Sequence, residues 1–272
     1  MKKSLYNIDK KFEEQSTAYI LGSGVLEDNG IEDIETVSDK DEQKKGKDLK
    51  GVYKGNRISI DIKSIGAIIP TFCQEMMNVT SGKVGWLVNP DIETDYYLYA
   101  YHLTDEGGNN YYTGKRLIAD STDCIIRNVY IMVSRQKLIQ TIEKNIGITL
   151  DVHAPQKILD DIASLLEKPI EECSGQFVYD DDRLVKKKDS HNHHDMWISL
   201  SSSGRIHEQP LNIIVSRETL ARISEFTVDE DVPHRIQKKI IKTDVKTDAS
   251  KKKFIRKPVI KLTANIKQNT QS

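Results

Sequence analysis

Residues 47–64 have the sequence KDLKGVYKGNRISIDIKS and predict a β-hairpin. The runs 47–54 and 57–64 alternate apolar and polar residues, which is typical of strands that bury one face. Gly55-Asn56 lies between them, and this pair favours a two-residue turn. The hairpin is the clearest structural signal in the 272-residue chain, so the other elements are placed relative to it.

The alternation divides the hairpin side chains between two faces. With the turn at Gly55-Asn56, Asp48 is expected opposite Lys63, and Lys50 opposite Asp61. One face is apolar and consists of Leu49, Tyr53, Ile58, Ile60 and Ile62. The other face consists of Asp48, Lys50, Val52, Ser59, Asp61 and Lys63. Two carboxylates and a lysine should therefore meet near the open end of the hairpin.

These residue types have the chemistry of phosphodiester hydrolysis. Two carboxylates held close together repel each other unless a cation lies between them. Carboxylate oxygens select Mg²⁺ or Mn²⁺, which lowers the pKa of a bound water and shields charge on a phosphate. A lysine beside the ion can orient or deprotonate the attacking water and contact a phosphate oxygen. The competing interpretation is a solvated strand face with ordinary surface charges.

The runs QKKGKD at 43–48 and ISIDIK at 58–63 resemble the signature of the PD-(D/E)xK nuclease superfamily. That superfamily includes restriction endonucleases and many recombination and repair nucleases. The resemblance implies that Asp48 is the first acid of the motif, Asp61 the second acid and Lys63 its lysine. Two positions depart from the pattern: Lys47 replaces the proline, and the second acid is Asp instead of the commoner Glu.

The resemblance also implies further acidic or polar residues near the metal. Family members usually carry a glutamate on the preceding helix, and Glu13 or Glu14 matches it. The strand after the triplet often adds a polar residue, and Gln74 or Glu75 matches that one. We take Glu14 and Glu75 as the predicted catalytic partners.

The cofactor that the resemblance implies is Mg²⁺, for which Mn²⁺ can substitute. Asp48 and Asp61 would hold the ion with help from the Ile62 carbonyl, and Lys63 would position the attacking water. The predicted activity is metal-dependent endonucleolytic cleavage of nucleic acid, with DNA favoured over RNA. A homodimer or a larger complex is expected, since cutting both strands usually takes two active sites.

Two other functions remain open on the sequence. A nuclease fold without catalysis could act as a nucleic-acid-binding or assembly subunit of a larger complex, although the complete acid-acid-lysine set argues against this. A plain interaction protein without a nucleic-acid role is the other alternative. The motif does not specify a recognition sequence, a strand preference or a pathway.

The predicted fold is α/β and restriction-endonuclease-like, with one mixed central sheet flanked by helices. Strands are expected at 71–77, 84–88, 95–103, 124–133, 196–200 and 211–215. Helices are expected at 9–26, from Ser134 to 145, from Pro155 onward and from Ser216 to 224. The segments 31–46 and 179–195 are expected to be irregular. Trp86 and Trp197 are expected in the core.

The charge distribution divides the chain into two parts. Residues 234–272 contain twelve Lys/Arg and two Asp/Glu, a net charge of +10, so the rest carries −11 of the total of −1. We predict a nuclease domain over residues 1–226 and a basic, flexible tail over 227–272. Such a tail would contact phosphates or remain a solvated extension.

The remaining features indicate a cytoplasmic protein. No stretch approaches the roughly 20 apolar residues that span a bilayer, and the polar beginning predicts no secretory signal. Cys73, Cys124 and Cys173 are far apart and form no CxxC spacing, which fits a reducing compartment. The cluster His191-Asn192-His193-His194 could suggest a metal site, but its polar setting and the lack of a second cluster favour a loop.

Overall fold

The computed structural model describes residues 5–104, 125–188, 195–202 and 208–232. The strands in this part of the chain are β1 (Ile31–Thr36), β2 (Leu49–Tyr53), β3 (Asn56–Ile65), β4 (Thr71–Asn78), β5 (Lys83–Val84), β6 (Tyr96–Thr104), β7 (Ile125–Ser134), β8 (Gly175–Asp180), β9 (Arg183–Lys186), β10 (Met196–Leu200), β11 (Pro210–Ser216) and β12 (Phe226–Asp231). The α-helices are α1 (Leu5–Ser23), α2 (Val25–Asp28), α3 (Lys40–Lys44), α4 (Arg135–Ile146), α5 (Ala154–Leu166) and α6 (Arg217–Arg222). None of the helices in these ranges is long and apolar enough to cross a membrane.

The strands form two six-stranded sheets, so the predicted mixed α/β class is confirmed, whereas the prediction of a single central sheet is wrong. The first sheet has the order β1-β2-β3-β6-β7-β12, with β3 and β6 parallel and its other neighbours antiparallel. The second has the order β5-β4-β11-β10-β8-β9 and is antiparallel throughout. The chain leaves the first sheet after β3, and β4 begins the second.

Two sheets form because β6 and β7 of the first sheet are apolar on both faces. On one face, Ile60 and Leu98 pack with residues of α1 and α2 such as Ile20. On the other, Tyr99 packs in a cluster that includes Ile213 of the second sheet and residues of α4 and α5. A strand that is apolar on both faces must be buried on both faces. The second sheet packs against one of these faces.

The hairpin register differs from the predicted one. The two-residue turn is Lys54-Gly55, with φ of 51° and 79°, so that Tyr53 pairs with Asn56. Two positive φ angles define a type I′ turn, and glycine tolerates the second of them better than any other residue. The pairing therefore moves by two residues. Because side chains alternate with period two, both faces keep the predicted composition.

Two elements lie in the segment predicted to be irregular before the hairpin. β1 pairs with β2, but only its first residue, Ile31, is buried, so its sequence lacks the alternation of a half-buried strand. α3 begins after Asp39, whose carboxylate accepts hydrogen bonds from the backbone N–H groups of Asp41 and Glu42. Five residues are too few to produce a helical repeat in the sequence.

In the second half of the chain one further prediction is corrected, and the predicted domain boundary lies inside a strand. Part of the predicted 179–195 loop is the β8–β9 hairpin, which turns at Asp181 and Asp182 with φ of 45° and 61°. The predicted domain boundary after residue 226 falls within β12, which pairs with β7 as far as Asp231. The rest of the predicted tail, residues 233–272, lies outside the described residues.

Gly85 packs closely against β4 of the second sheet, and its substitution tests this close approach. The predicted strand at 84–88 ends at Val84, and the Gly85 N–H then donates to the Met76 carbonyl at 2.7 Å. A Cβ at Gly85 would lie 2.4 Å from the carbonyl oxygen of Glu75. We expect Gly85→Ala to lower the free energy of unfolding by about 1–3 kcal/mol, the usual cost of overpacking, or by more.

The control for this substitution is Gly82→Ala. Gly82 has a φ of 67°, but no atom lies within 4 Å of its ideal Cβ position, so only backbone strain of about 1 kcal/mol is expected. Urea denaturation of both variants measures the difference. Equal losses would show that the approach of Gly85 to β4 does not constrain the fold.

Candidate active site

A cleft of about 620 Å³ opens beside the beginning of β2, where β3 continues beyond it. The pairing of β2 with β3 stops at Leu49 and Ile60, but β3 continues to Ile65. One backbone edge of the last residues of β3 therefore faces the cleft. α1 and the segment before β2 form the other walls. The predicted site residues that line this cleft are Glu13, Glu14, Asp48, Asp61, Ile62 and Lys63.

The observed register places Asp48 and Asp61 across from each other. Asp48 precedes β2, and its backbone N–H donates to the Ile60 carbonyl at 2.9 Å. Its carboxylate Oδ2 accepts a hydrogen bond of 2.8 Å from the N–H of Ile62. The carboxyl group of Asp61 lies within hydrogen-bonding reach of Asp48. The predicted register would instead have put Lys63 opposite Asp48.

Asp61 is the buried member of this carboxyl pair, with 4% of its surface exposed. Burial raises the pKa of its carboxyl group to about 7, Lys63 opposes the rise, and the charge of Asp48 adds to it. A Cβ on Gly46 would lie 3.3 Å from Asp61 Oδ2, so the backbone before β2 packs against this oxygen. Near neutral pH the carboxyl pair of Asp48 and Asp61 is therefore stable in two forms. In one form the pair holds a proton, and in the other a cation balances the two negative charges.

Lys63 is held between a carboxylate and an aromatic ring. Its Nζ lies 2.9 Å from Asp61 Oδ2 and 4.8 Å from the centroid of the Trp86 ring. The Trp86 ring in turn lies edge-on to Tyr97, with centroids 4.8 Å apart. Trp86 was expected in the core but is half-buried and lines the cleft. Its contact with Lys63 joins residues 23 positions apart, a distance at which no sequence periodicity gives a signal.

The two glutamates of α1 lie at the outer rim of the cleft. Both Glu13 and Glu14 are exposed and line the cleft wall. Glu14 Oε1 lies 3.8 Å from Nζ of Lys10, which is on the preceding turn of the helix. The structure thus brings both helix candidates to the same cleft as the aspartates.

The structure does not bring the polar residues of β4 into the cleft. Gln74 is fully buried, and its Oε1 accepts a 3.0 Å hydrogen bond from the hydroxyl of Tyr99. Glu75 pairs with Asn212 inside the second sheet and does not line the cleft. Burial raises the pKa of Glu75, and the charges of Lys83 and Lys63 oppose that rise. β4 belongs to a different sheet from the motif, which the sequence did not reveal.

The oxygen donors in the cleft fit a small divalent cation. The Ile62 N–H points towards Asp48, and because a strand residue's N–H and C=O point to the same side, the Ile62 carbonyl faces the cleft as well. Within the described ranges, no group of three or more His, Cys, Asp or Glu side chains is arranged to hold a metal. Mg²⁺ binds through one or two carboxylates and keeps several waters, so two aspartates and a carbonyl suffice for it.

Comparison of the chain with protein-family models, with curated proteins and with solved structures found no match. The fold and the cleft define a mixed α/β protein with a paired-aspartate and lysine site at the open end of a hairpin. The predicted loop at His191 to His194 lies outside the described residues.

Proposed function

We propose that this chain is a metal-dependent nuclease that hydrolyses phosphodiester bonds in nucleic acid, with DNA favoured over RNA. The observation that carries the proposal is the convergence of Asp48, Asp61 and Lys63 on one cleft, with the carboxyl groups within hydrogen-bonding reach of each other. A carboxyl pair of this kind, with a pKa of about 7 for its buried member, is poised to exchange a proton for a cation.

The residues have distinct roles in this proposal. Asp48 and Asp61, with the Ile62 carbonyl, would hold Mg²⁺ or Mn²⁺, which when bound supplies a more acidic water and shields the phosphate charge. The Lys63 ammonium orients the attacking water or contacts a non-bridging phosphate oxygen. Trp86 keeps that ammonium at the cleft by a cation–π contact. Lys10 and Lys44, which also line the cleft, attract the polyanion.

A cleavage assay tests the proposal directly. The full chain is incubated with single- and double-stranded DNA and RNA in the presence of Mg²⁺, of Mn²⁺ or of EDTA. We expect cleavage that requires the divalent ion and is lost with EDTA. Absence of cleavage on all four substrates with either metal would contradict the proposed function.

The second candidate is a nuclease fold that binds nucleic acid or a complex without cutting. The exposed position of Glu13 and Glu14 and the absence of Gln74 and Glu75 from the cleft favour this alternative. Calorimetric titration of Mg²⁺ or Mn²⁺ into the wild type and Asp61→Ala separates the two. Equal and negligible binding to both would favour the non-catalytic subunit.

The proposed setting of the activity follows from the sequence. We propose a cytoplasmic nuclease that works as a homodimer or within a larger complex, because a double-strand break takes two active sites. Light scattering of the free protein and of its DNA complex measures the assembly state. A monomer in both conditions, together with double-strand cleavage, would contradict the dimer.

A further inference from the structure

A chain of hydrogen bonds runs from the cleft wall into the core. Ser64, which lines the cleft, has its Oγ 2.6 Å from the Oγ of Ser16 on α1. Ser16 Oγ lies 2.7 Å from His102 Nε2, and His102 Nδ1 lies 2.8 Å from Asn128 Oδ1. Ser16, His102 and Asn128 are fully buried. Of these four residues, Ser64 is the one that lines the cleft.

The buried end of the chain determines where its protons lie. The amide nitrogen of Asn128 donates to the Tyr19 hydroxyl at 3.3 Å, so the amide oxygen faces His102. An amide oxygen only accepts, so Nδ1 of His102 carries the proton and Nε2 of the neutral ring presents a lone pair. Burial lowers the pKa of His102 to about 4, so the ring is neutral at physiological pH.

The same logic continues outward to the cleft. Ser16 has a single hydroxyl proton, and it donates that proton to Nε2 of His102. Ser16 must then accept from its other neighbour, so the Ser64 hydroxyl donates its proton inward. The lone pairs of Ser64 Oγ are consequently left for ligands in the cleft. The hydroxyl of Ser64 is thus fixed as an acceptor by residues that the ligand never touches.

An acceptor in this place restricts what can bind to it. A phosphate oxygen has only lone pairs to offer and cannot hydrogen-bond to another acceptor, whereas a water molecule, a hydroxyl or an amine can donate. Ser64 follows Lys63 on β3, so its side chain points to the α1 side of the strand, whereas Asp61 and Lys63 point to the opposite side. All three residues nevertheless line the same cleft, which extends around the free edge of β3. Of the groups that take part in phosphodiester hydrolysis, the attacking water is the one that needs a hydrogen-bond acceptor to hold its second proton.

We propose that Ser64 is an oriented hydrogen-bond acceptor that positions the attacking water in the cleft, and that Ser16, His102 and Asn128 are positioning residues that set its proton. The identity of the ligand as the attacking water rests on the proposed nuclease function, but the direction of the Ser64 proton does not. Burying three polar side chains in this way is costly unless every one is hydrogen-bonded, and the network satisfies each of them with a defined polarity.

The proton arrangement is tested in the free protein by nitrogen-15 NMR of the His102 ring. We expect a neutral ring near pH 7 with the proton on Nδ1 and a bare Nε2. A flipped Asn128 amide would give the opposite arrangement, with the proton on Nε2 and the Ser64 hydroxyl donating into the cleft. Observation of the Nε2-protonated tautomer would therefore overturn the inference, whether or not the protein cuts nucleic acid.

The role in water positioning is tested by cleavage kinetics of four variants. Ser64→Ala is expected to lower kcat on the order of tenfold with little change in KM, the effect of losing one oriented hydrogen bond. Ser64→Thr keeps the hydroxyl and should largely restore kcat. Ser16→Ala keeps the Ser64 hydroxyl but removes the acceptor that fixes the direction of its proton. This variant should therefore also lower kcat. Ser199→Ala on β10 is the matched control and should leave both constants unchanged.

The outcomes distinguish the water-positioning role of Ser64 from the proposed nuclease function on which that role rests. Wild-type kcat in Ser64→Ala would overturn the water-positioning role while the nuclease proposal stands. A wild-type chain that cleaves none of the substrates would overturn the nuclease function and, with it, the assignment of the Ser64 ligand. A loss of kcat in Ser64→Ala that Ser64→Thr does not restore would also overturn the role, because it would point to packing and not to the hydroxyl.

Discussion

Replacement of Asp61 by asparagine should lower metal-dependent cleavage at least about a thousandfold, because it removes a charged ligand where charge develops in the reaction. The amide has almost the same shape as the carboxyl group, so the fold should be kept. Asp48→Asn and Lys63→Met should reduce cleavage to a similar extent. Single-turnover rates at saturating substrate measure the chemical step, and circular dichroism verifies the fold.

The same Asp61→Asn substitution should stabilise the protein at pH 8 in the absence of divalent cations. The pKa of Asp61 is raised from 3.8 to about 7 in the folded state, so the folded protein holds this proton more tightly than the unfolded chain. The contribution of Asp61 to stability is therefore largest at acidic pH and falls as the pH rises from about 4 to about 7. At roughly 1.4 kcal/mol per pKa unit, this amounts to at most roughly 4 kcal/mol.

Asp160→Asn is the control for both measurements. Asp160 is an exposed carboxylate on α5, which contributes no residue to the cleft. Its replacement should change neither the cleavage rate nor the pH dependence of unfolding. Cleavage by Asp61→Asn at the wild-type rate would show that the site is assigned wrongly. A variant that is both inactive and strongly destabilised at pH 8 would point to a structural role for Asp61 instead.

Mg²⁺ affinity should rise about tenfold for each pH unit between pH 5 and pH 7 and then level off. The ion competes with the proton on Asp61, whose pKa of about 7 places that competition in this range. The total change between pH 5 and pH 7 is therefore on the order of a hundredfold. Mn²⁺ should show the same dependence, because it binds to the same deprotonated carboxyl pair.

Isothermal titration in two buffers of different ionisation enthalpy counts the protons released on binding. Close to one proton per ion is expected at pH 6 and almost none at pH 8. Asp160→Asn should match the wild type, and Asp61→Asn should lose most of the affinity at every pH. Affinity that does not vary between pH 5 and pH 8 would mean that Asp61 is not a ligand of the bound ion.

The hairpin shows how far the sequence could be interpreted and where it failed. Alternation predicted which side chains share a face, and this part is confirmed because period two is a local property of any extended strand. The turn was placed one residue too far along, because Gly55-Asn56 and Lys54-Gly55 both contain the glycine. Choosing between them requires the backbone angles, and only the second choice brings Asp48 across from Asp61.

The residues around the motif were harder to predict because they come from distant parts of the chain. The Glu13 or Glu14 candidates line the cleft, since α1 packs directly on the apolar face of the hairpin. The expectation for Glu75 assumed that β4 continues the first sheet. β4 lies in the second sheet instead, and no pattern in a single strand states which sheet it joins.

The sequence by itself determined the mixed α/β class, the hairpin with its two faces, and the presence of two carboxylates and a lysine on one of them. These follow from periodicities of two and 3.6 residues, which depend only on neighbouring positions. Only the tertiary structure decided the division into two sheets, the contact of Trp86 with Lys63, the raised pKa of Asp61 and the hydrogen-bond chain from Ser64 to Asn128. Each of these depends on burial or on contacts between residues far apart in sequence, and such contacts exist only once the chain has folded.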